Sequence, residues 1–130
     1  MGSKWEAEVE YLTSEGTKGL PFSEAVRVGN MLYLSGQLGR DGSGKMVPGG
    51  IVDETRQTLE NIKATLERSG SSLDHVIKVT VMLADMAEWE AMNTVYITFF
   101  RKHLPARSAL GAKGLALGAR VEIECIAVLK

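Results

Sequence analysis

Gly29-Asn30 sits between two short runs of alternating apolar residues, Ala25 to Val28 and Met31 to Ser35, and constrains the fold more than any other feature of the chain. Both residues tolerate positive φ. The primed two-residue turns of β-hairpins need that, because they match the right-handed twist of the flanking strands. An antiparallel hairpin is therefore expected here. A weakly alternating stretch, Glu6 to Leu12, is expected as a short strand before it. Gly36 to Gly50 follows, with six glycines and Pro48, and reads as a mobile loop.

The hydrophobic period then changes. Thr55, Leu59, Ile62 and Leu66 recur at steps of four, three and four, which predicts a helix from about Ile51 to Arg68. Gly70 lies where a left-handed C-terminal cap belongs. Val76 to Leu83 (VIKVTVML) is rich in β-branched residues and predicts a central strand. Asp85 with Glu88 resembles a capping box at the start of a second helix. Trp89, Met92, Tyr96, Phe99 and Phe100 form that helix's apolar stripe, Lys102 and His103 suit its C-terminal end, and Pro105 stops it. Two strands complete the order, Ala106 to about Gly111 and Val121 to Leu129. The expected class is α+β: a two-layer sandwich in which a mixed six-stranded sheet carries both helices on one face.

The chain has 130 residues, enough for one domain, 1–130, with its own core. Fifteen Lys and Arg oppose 16 Asp and Glu, a net charge of -1, which argues against a domain built to grip nucleic acid or an acidic membrane. Cys125 is the single cysteine, so no intrachain disulfide can form and a reducing compartment is the default. Met1 to Tyr11 is too charged for a signal peptide, and no apolar run is long enough to span a membrane. A soluble, cytoplasmic protein is expected.

Strand alternation assigns faces. Val26, Val28, Leu32, Leu34, Ile77, Val79, Val81, Leu83, Leu110, Val121, Ile123 and Cys125 are expected to face the helices. Arg27, Met31, Tyr33, Ser35, Lys78, Thr80, Met82, Arg107, Ala109, Glu122, Glu124 and Ile126 are expected on the other side. That second face mixes apolar with charged groups. Either another subunit covers it or it is a partly exposed sheet with a few apolar residues. Arg107 and Glu122 fall together there. An arginine fork matches a carboxylate and a glutamate can move protons, but composition and spacing alone favour a structural salt bridge or two solvated side chains.

Other signals are weak. Gly39 to Lys45 reads G-x-x-x-x-G-K, but Met46 stands where a phosphate-binding loop needs Ser or Thr, and no helix follows directly. Gly111 to Gly114 reads GxxG, but lies between strands. His75, His103 and Cys125 do not make a zinc set.

Pro105-Ala106-Arg107-Ser108-Ala109-Leu110 followed by Val121-Glu122-Ile123-Glu124 resembles the C-terminal signature of the Rid (YjgF-type) family of reactive-intermediate deaminases. Further matches precede it in order. They are Ala25-Val26 leading into Leu34-Ser35-Gly36-Gln37, Thr58 to Ile62, Val76 to Val81, and Asn93 with Tyr96. The resemblance implies a chorismate-mutase-like homotrimer with clefts between subunits. It implies cofactor-independent hydrolysis of 2-aminoacrylate-type enamines, through their imines, to 2-keto acids and ammonia. Carried over residue by residue, it implies that Arg107 binds the substrate carboxylate and Glu122 positions or activates water. Ser35, Gly36 and Asn93 would contact or line the substrate site. Two positions depart from the pattern: Phe22 stands where the family often has tyrosine, and Ala109 where it often has cysteine. Phe22 would then be an apolar wall. The departures keep open a protein that binds small carboxylate metabolites without turnover. A ribonuclease or translation-inhibitor activity, also associated with the family, is disfavoured by the net charge.

Overall fold

β1 (Val9–Leu12), β2 (Ala25–Val28), β3 (Met31–Leu34), α1 (Ile51–Arg68), β4 (Val76–Leu83), α2 (Trp89–Tyr96), β5 (Ala106–Gly111) and β6 (Val121–Val128) succeed one another in a computed structural model that describes residues 8–130. Glu6 and Ala7, the start of the expected first strand, lie outside the described residues, as does most of the charged N-terminal segment. The strands form one sheet in the order β1-β2-β3-β6-β4-β5. β4 and β5 are parallel, joined by the α2 crossover, and all other pairs are antiparallel. β6, last in the chain, fills the gap between β3 and β4.

The α1 boundaries match those read from its period. Asp53 and Glu54 occupy the first turn, where negative charge opposes the helix dipole. Gly70 takes φ +88° at the far end, and the Ser71 N–H returns to the Leu66 carbonyl at 2.8 Å. Leu59, Ile62 and Leu66 pack on Leu32, Val79, Val81, Val121 and Ile123 of the sheet. Each such side chain contributes about 1.5–3 kcal/mol by leaving water.

α2 is shorter than its apolar stripe. Asp85 accepts from the Ala87 N–H at 2.9 Å, but a 3₁₀ turn over Met86–Glu88 precedes the helix. Glu88 does not close a capping box; its carboxylate meets Arg120 Nη1 at 2.9 Å. The helix ends at Tyr96, so Phe99, Phe100, Lys102 and His103 lie beyond it. Val95, Ile97 and Thr98 are β-branched, and the Thr94 and Thr98 hydroxyls each donate to a carbonyl three residues back at 2.6 Å. The Thr98 and Phe99 N–H groups do the same at 3.0 Å, tightening the chain into a turn. Phe100 still reaches the core, its ring centroid 4.7 Å from that of Tyr96.

Face assignments change in three strands. Val28 pairs with Met31 and Val26 with Tyr33, and directly opposed antiparallel residues share a face. Val26 and Val28 therefore sit on the open side, while Arg27, opposite Leu32, takes the helix side. The two-residue turn dictates this, with Gly29 alone at positive φ (+59°), as in a II′ turn. In β4 the register shifts between Val76 and Lys78, leaving Ile77 as a bulge residue that is 46% exposed. In β5, Arg107 pairs with Val79, Ala109 with Val81 and Leu110 with Met82. Arg107 and Ala109 thus take the helix side and Leu110 the open side.

The glycine-rich segment is fastened rather than loose. Arg40 and Met46 form a bridge, and Asp41 Oδ1 accepts from Ser43 and Lys45. Asn61 of α1 donates to the Leu38 and Arg40 carbonyls at 3.0 and 2.9 Å.

Candidate active site

Arg107 leaves β5 toward α2. Its Nη1 donates to Asn93 Oδ1 at 2.7 Å. Its Cζ lies 4.7 Å from the Tyr96 ring centroid and 5.9 Å from that of Trp89. Trp89, Asn93 and Tyr96 are spaced i, i+4, i+7, so one helix face meets the guanidinium. Among the described residues no carboxylate forms an ion pair with Arg107. The arginine borders a cavity of about 490 Å³ with Asn93, Thr94, Tyr96, Ile97, Leu104 and Pro105. Burial pushes the Tyr96 hydroxyl up to about 12, against the opposing pull of Arg107.

Glu122 lies elsewhere. It pairs with Met82 on the open face of the sheet, opposite in direction to Arg107. The two do not share a face within one chain, contrary to the alternation reading. Parallel pairing of β5 with β4 sets this, by placing Arg107 beside the buried Val79. Glu122 lines a second cavity of about 640 Å³ together with Phe22, Ser35 and Gly36. Gln37 and Ile123 exchange backbone hydrogen bonds at 2.8 and 3.0 Å, which lays the Gly36 segment along β6. A Cβ on Gly36 would collide with the Glu122 carboxylate, so glycine is required for the close approach. Burial first, and Glu124 second, hold the Glu122 carboxyl above the usual glutamate range.

The rest of this second cavity is shaped by Ser35 and Glu24. Ser35 Oγ donates to the Ser23 carbonyl at 2.6 Å, and its N–H donates to the Glu24 carbonyl at 3.0 Å. These bonds fix the loop that carries Phe22, whose ring is 50% exposed. Glu24 is buried and accepts from Ser14 Oγ, Thr65 Oγ1 and Arg68 Nη2. Its contacts tie the same loop to the end of α1.

The residues expected at a site therefore fall into two groups. Arg107 and Asn93 form one; Phe22, Ser35, Gly36 and Glu122 form the other. Ala109 borders neither cavity and packs against the core. Periodicity assigned Trp89 and Tyr96 to the apolar stripe, and the resemblance set Tyr96 beside Asn93, but neither showed their contact with Arg107. Cys125 is buried, and burial pushes its thiol up to about 12, as a core residue's would be. No group of three or more His, Cys, Asp or Glu among the described residues could hold a metal ion. Among them, no helix is long and apolar enough to cross a membrane.

Comparison with known proteins agrees with the motif reading. A family model described as Endoribonuclease L-PSP matches residues 17–129. A 2-iminobutanoate/2-iminopropanoate deaminase of Mus musculus is 47% identical over 109 residues, 83% of this chain and 81% of that protein. The crystal structure of a yeast protein superposes with TM-score 0.90 at 38% identity, covering 95% of this chain and 100% of the other. RidA from an Antarctic Psychrobacter superposes with TM-score 0.82 at 35% identity, covering 92% and 94%.

Proposed function

Because this chain belongs to the Rid (YjgF-type) family, the one the Endoribonuclease L-PSP model describes, we propose that it is a deaminase that hydrolyses reactive 2-imino acids, formed from 2-aminoacrylate-type enamines, to 2-keto acids and ammonia. The names of its relatives support the reaction. One structural observation carries the site: two half-complete clusters, one cationic and one acidic, line two cavities that share no residue. Two separate cavities of one chain cannot serve the same small substrate. Copies of the chain arranged head to tail around an axis can, each giving Arg107 to one cleft and Glu122 to the next. A cytoplasmic homotrimer with three shared sites is the arrangement we adopt.

The chemistry follows from the groups. Arg107, steadied by Asn93, donates two charge-assisted hydrogen bonds to the substrate carboxylate, each worth about 1.5–3 kcal/mol. This sets the imine carbon beside Glu122 of the neighbouring copy. The Glu122 carboxylate takes a proton from water as the water oxygen bonds to that carbon. The C=N electron pair moves onto nitrogen, which takes that proton from Glu122 and leaves the carboxylate ionised again. In the resulting carbinolamine, Glu122 or water relays the hydroxyl proton to nitrogen, the C–N bond breaks, and a C=O bond forms as ammonia departs. A raised carboxyl pKa suits a proton acceptor working near neutral pH.

The test uses complementation. Arg107→Ala and Glu122→Gln homotrimers each lose keto-acid release from 2-aminoacrylate generated in situ. Unfolded together, mixed in equal amounts and refolded, they recover about a quarter of wild-type activity, because one cleft in four draws both intact residues from different copies. No recovery in well-folded mixed trimers overturns the shared site. Saturable pyruvate binding by the wild type without turnover would replace the deaminase with a carboxylate-binding protein.

A further inference from the structure

Trp89 is 40% exposed, at the start of the α2 face that meets β5. Its ring lies beside Arg107, which also lies over Tyr96 and forms no ion pair with a carboxylate among the described residues. We propose that Trp89 and Tyr96 are positioning residues whose rings hold the Arg107 guanidinium ready for the substrate carboxylate without neutralising it. The proposal rests on the deaminase reading for its substrate, and on the geometry of α2 and β5 for its residues.

An arginine must be held by something if it is to dock a carboxylate in one orientation. A carboxylate neighbour would fix it, but would also occupy its donors and cancel its charge. An aromatic face attracts the cation through its quadrupole and takes none of the N–H groups. Asn93 adds a neutral acceptor at Nη1 and leaves the remaining donors free. The charge at the cavity is thus kept whole for the incoming anion.

Tyr96 works here through its ring. It is only 5% exposed, and its hydroxyl is buried with no hydrogen-bond partner. Burial keeps that hydroxyl protonated, with a pKa of about 12, so it is neutral at physiological pH. Phe100 packs against the ring with centroids 4.7 Å apart, which limits its movement. Apolar periodicity alone would assign Tyr96 to the core, and both roles fall to the same residue.

A clamp of this kind steadies Arg107 equally in the bound substrate and in the transition state, so its loss appears in KM rather than kcat. Trp89→Leu is expected to raise KM for 2-iminopropanoate, and the inhibition constant of pyruvate, about threefold to tenfold, with kcat within about twofold. Tyr96→Leu is expected to raise both by about tenfold or more. Phenylalanine at either position, which keeps a ring, recovers most of the loss. Trp89→Leu alters a surface position and stands as the test where Tyr96→Leu fails to fold. Unchanged KM and pyruvate affinity in folded Trp89→Leu overturn the proposal. So does a Tyr96→Phe variant as damaged as Tyr96→Leu, which would assign the work to the hydroxyl. Absence of turnover in the wild type removes the deaminase reading instead, while pyruvate affinity measured by calorimetry still tests the clamp.

Discussion

Around Arg107 stand three side chains of one helix, Trp89, Asn93 and Tyr96; around Glu122 stands mostly backbone, the Gly36–Gln37 segment stitched to β6. The first cluster can be altered one group at a time, because each side chain contributes a separate contact. The second is a close approach of chain to carboxylate, in which any added atom must displace the carboxylate itself. A graded response at one cluster and an abrupt one at the other is the consequence, and it can be measured.

The abrupt response comes first in size. Gly36 does not have positive φ, so alanine suits its backbone and the collision with Glu122 is the whole effect. Gly36→Ala is expected to lower kcat/KM about 10²-fold, comparable to losing a general base. In a Glu122→Gln background the same change adds little, because the two act on one group. Additive losses in steady-state kinetics of the double variant would break the contrast between the two clusters.

Acidity separates the clusters next. In the proposed reaction Glu122 accepts a proton and must be ionised, and its carboxyl is raised, so kcat/KM is expected to climb with pH along a limb centred above the usual glutamate value of 4.5. Glu124→Gln removes the second cause of the shift and moves that limb to lower pH. Stability carries the opposite sign. A carboxyl raised in the folded state favours folding while protonated, fully below its ordinary value, and that contribution is lost as pH rises through the raised one. Glu122→Gln keeps an uncharged group at every pH, so its melting temperature gains on the wild type as pH rises through that window. Parallel melting curves from acid to neutral pH would show that folding does not raise the Glu122 carboxyl.

Local signals made most of the fold legible. α1, β4 and β5 lie where their periods place them, since each is bounded by a cap, a turn or a proline that acts within a few residues. The α2 stripe misled because Phe99 and Phe100 continue an apolar pattern after the backbone has left the helix. The resemblance supplied a set of candidate residues, and alternation did not supply their arrangement. Arg107 and Glu122 alternate within their own strands as expected. Whether two strands present the same face depends on pairing, and Arg107 follows Val79 across a parallel ladder that no residue of β5 announces. Ile77 was misplaced for a related reason, since a bulge reverses alternation without a sequence mark.

The smallest effect belongs to Phe22, at the edge of the Glu122 cluster. Its ring is 50% exposed and borders the same cavity as Ser35 and Glu122. A hydroxyl at the para position of a half-exposed ring keeps contact with water, so Phe22→Tyr should leave the melting temperature unchanged. One added hydrogen bond to the bound imine acid contributes about 0.5–1.5 kcal/mol, or about a twofold to tenfold gain in kcat/KM. The gain should survive Trp89→Leu undiminished, because the ring at position 22 and the clamp on Arg107 border separate cavities and meet only through the substrate. A gain that vanishes in the double variant would mean that the two clusters are not independent holders of one molecule, and that loosening the carboxylate also misplaces the imine carbon at Glu122.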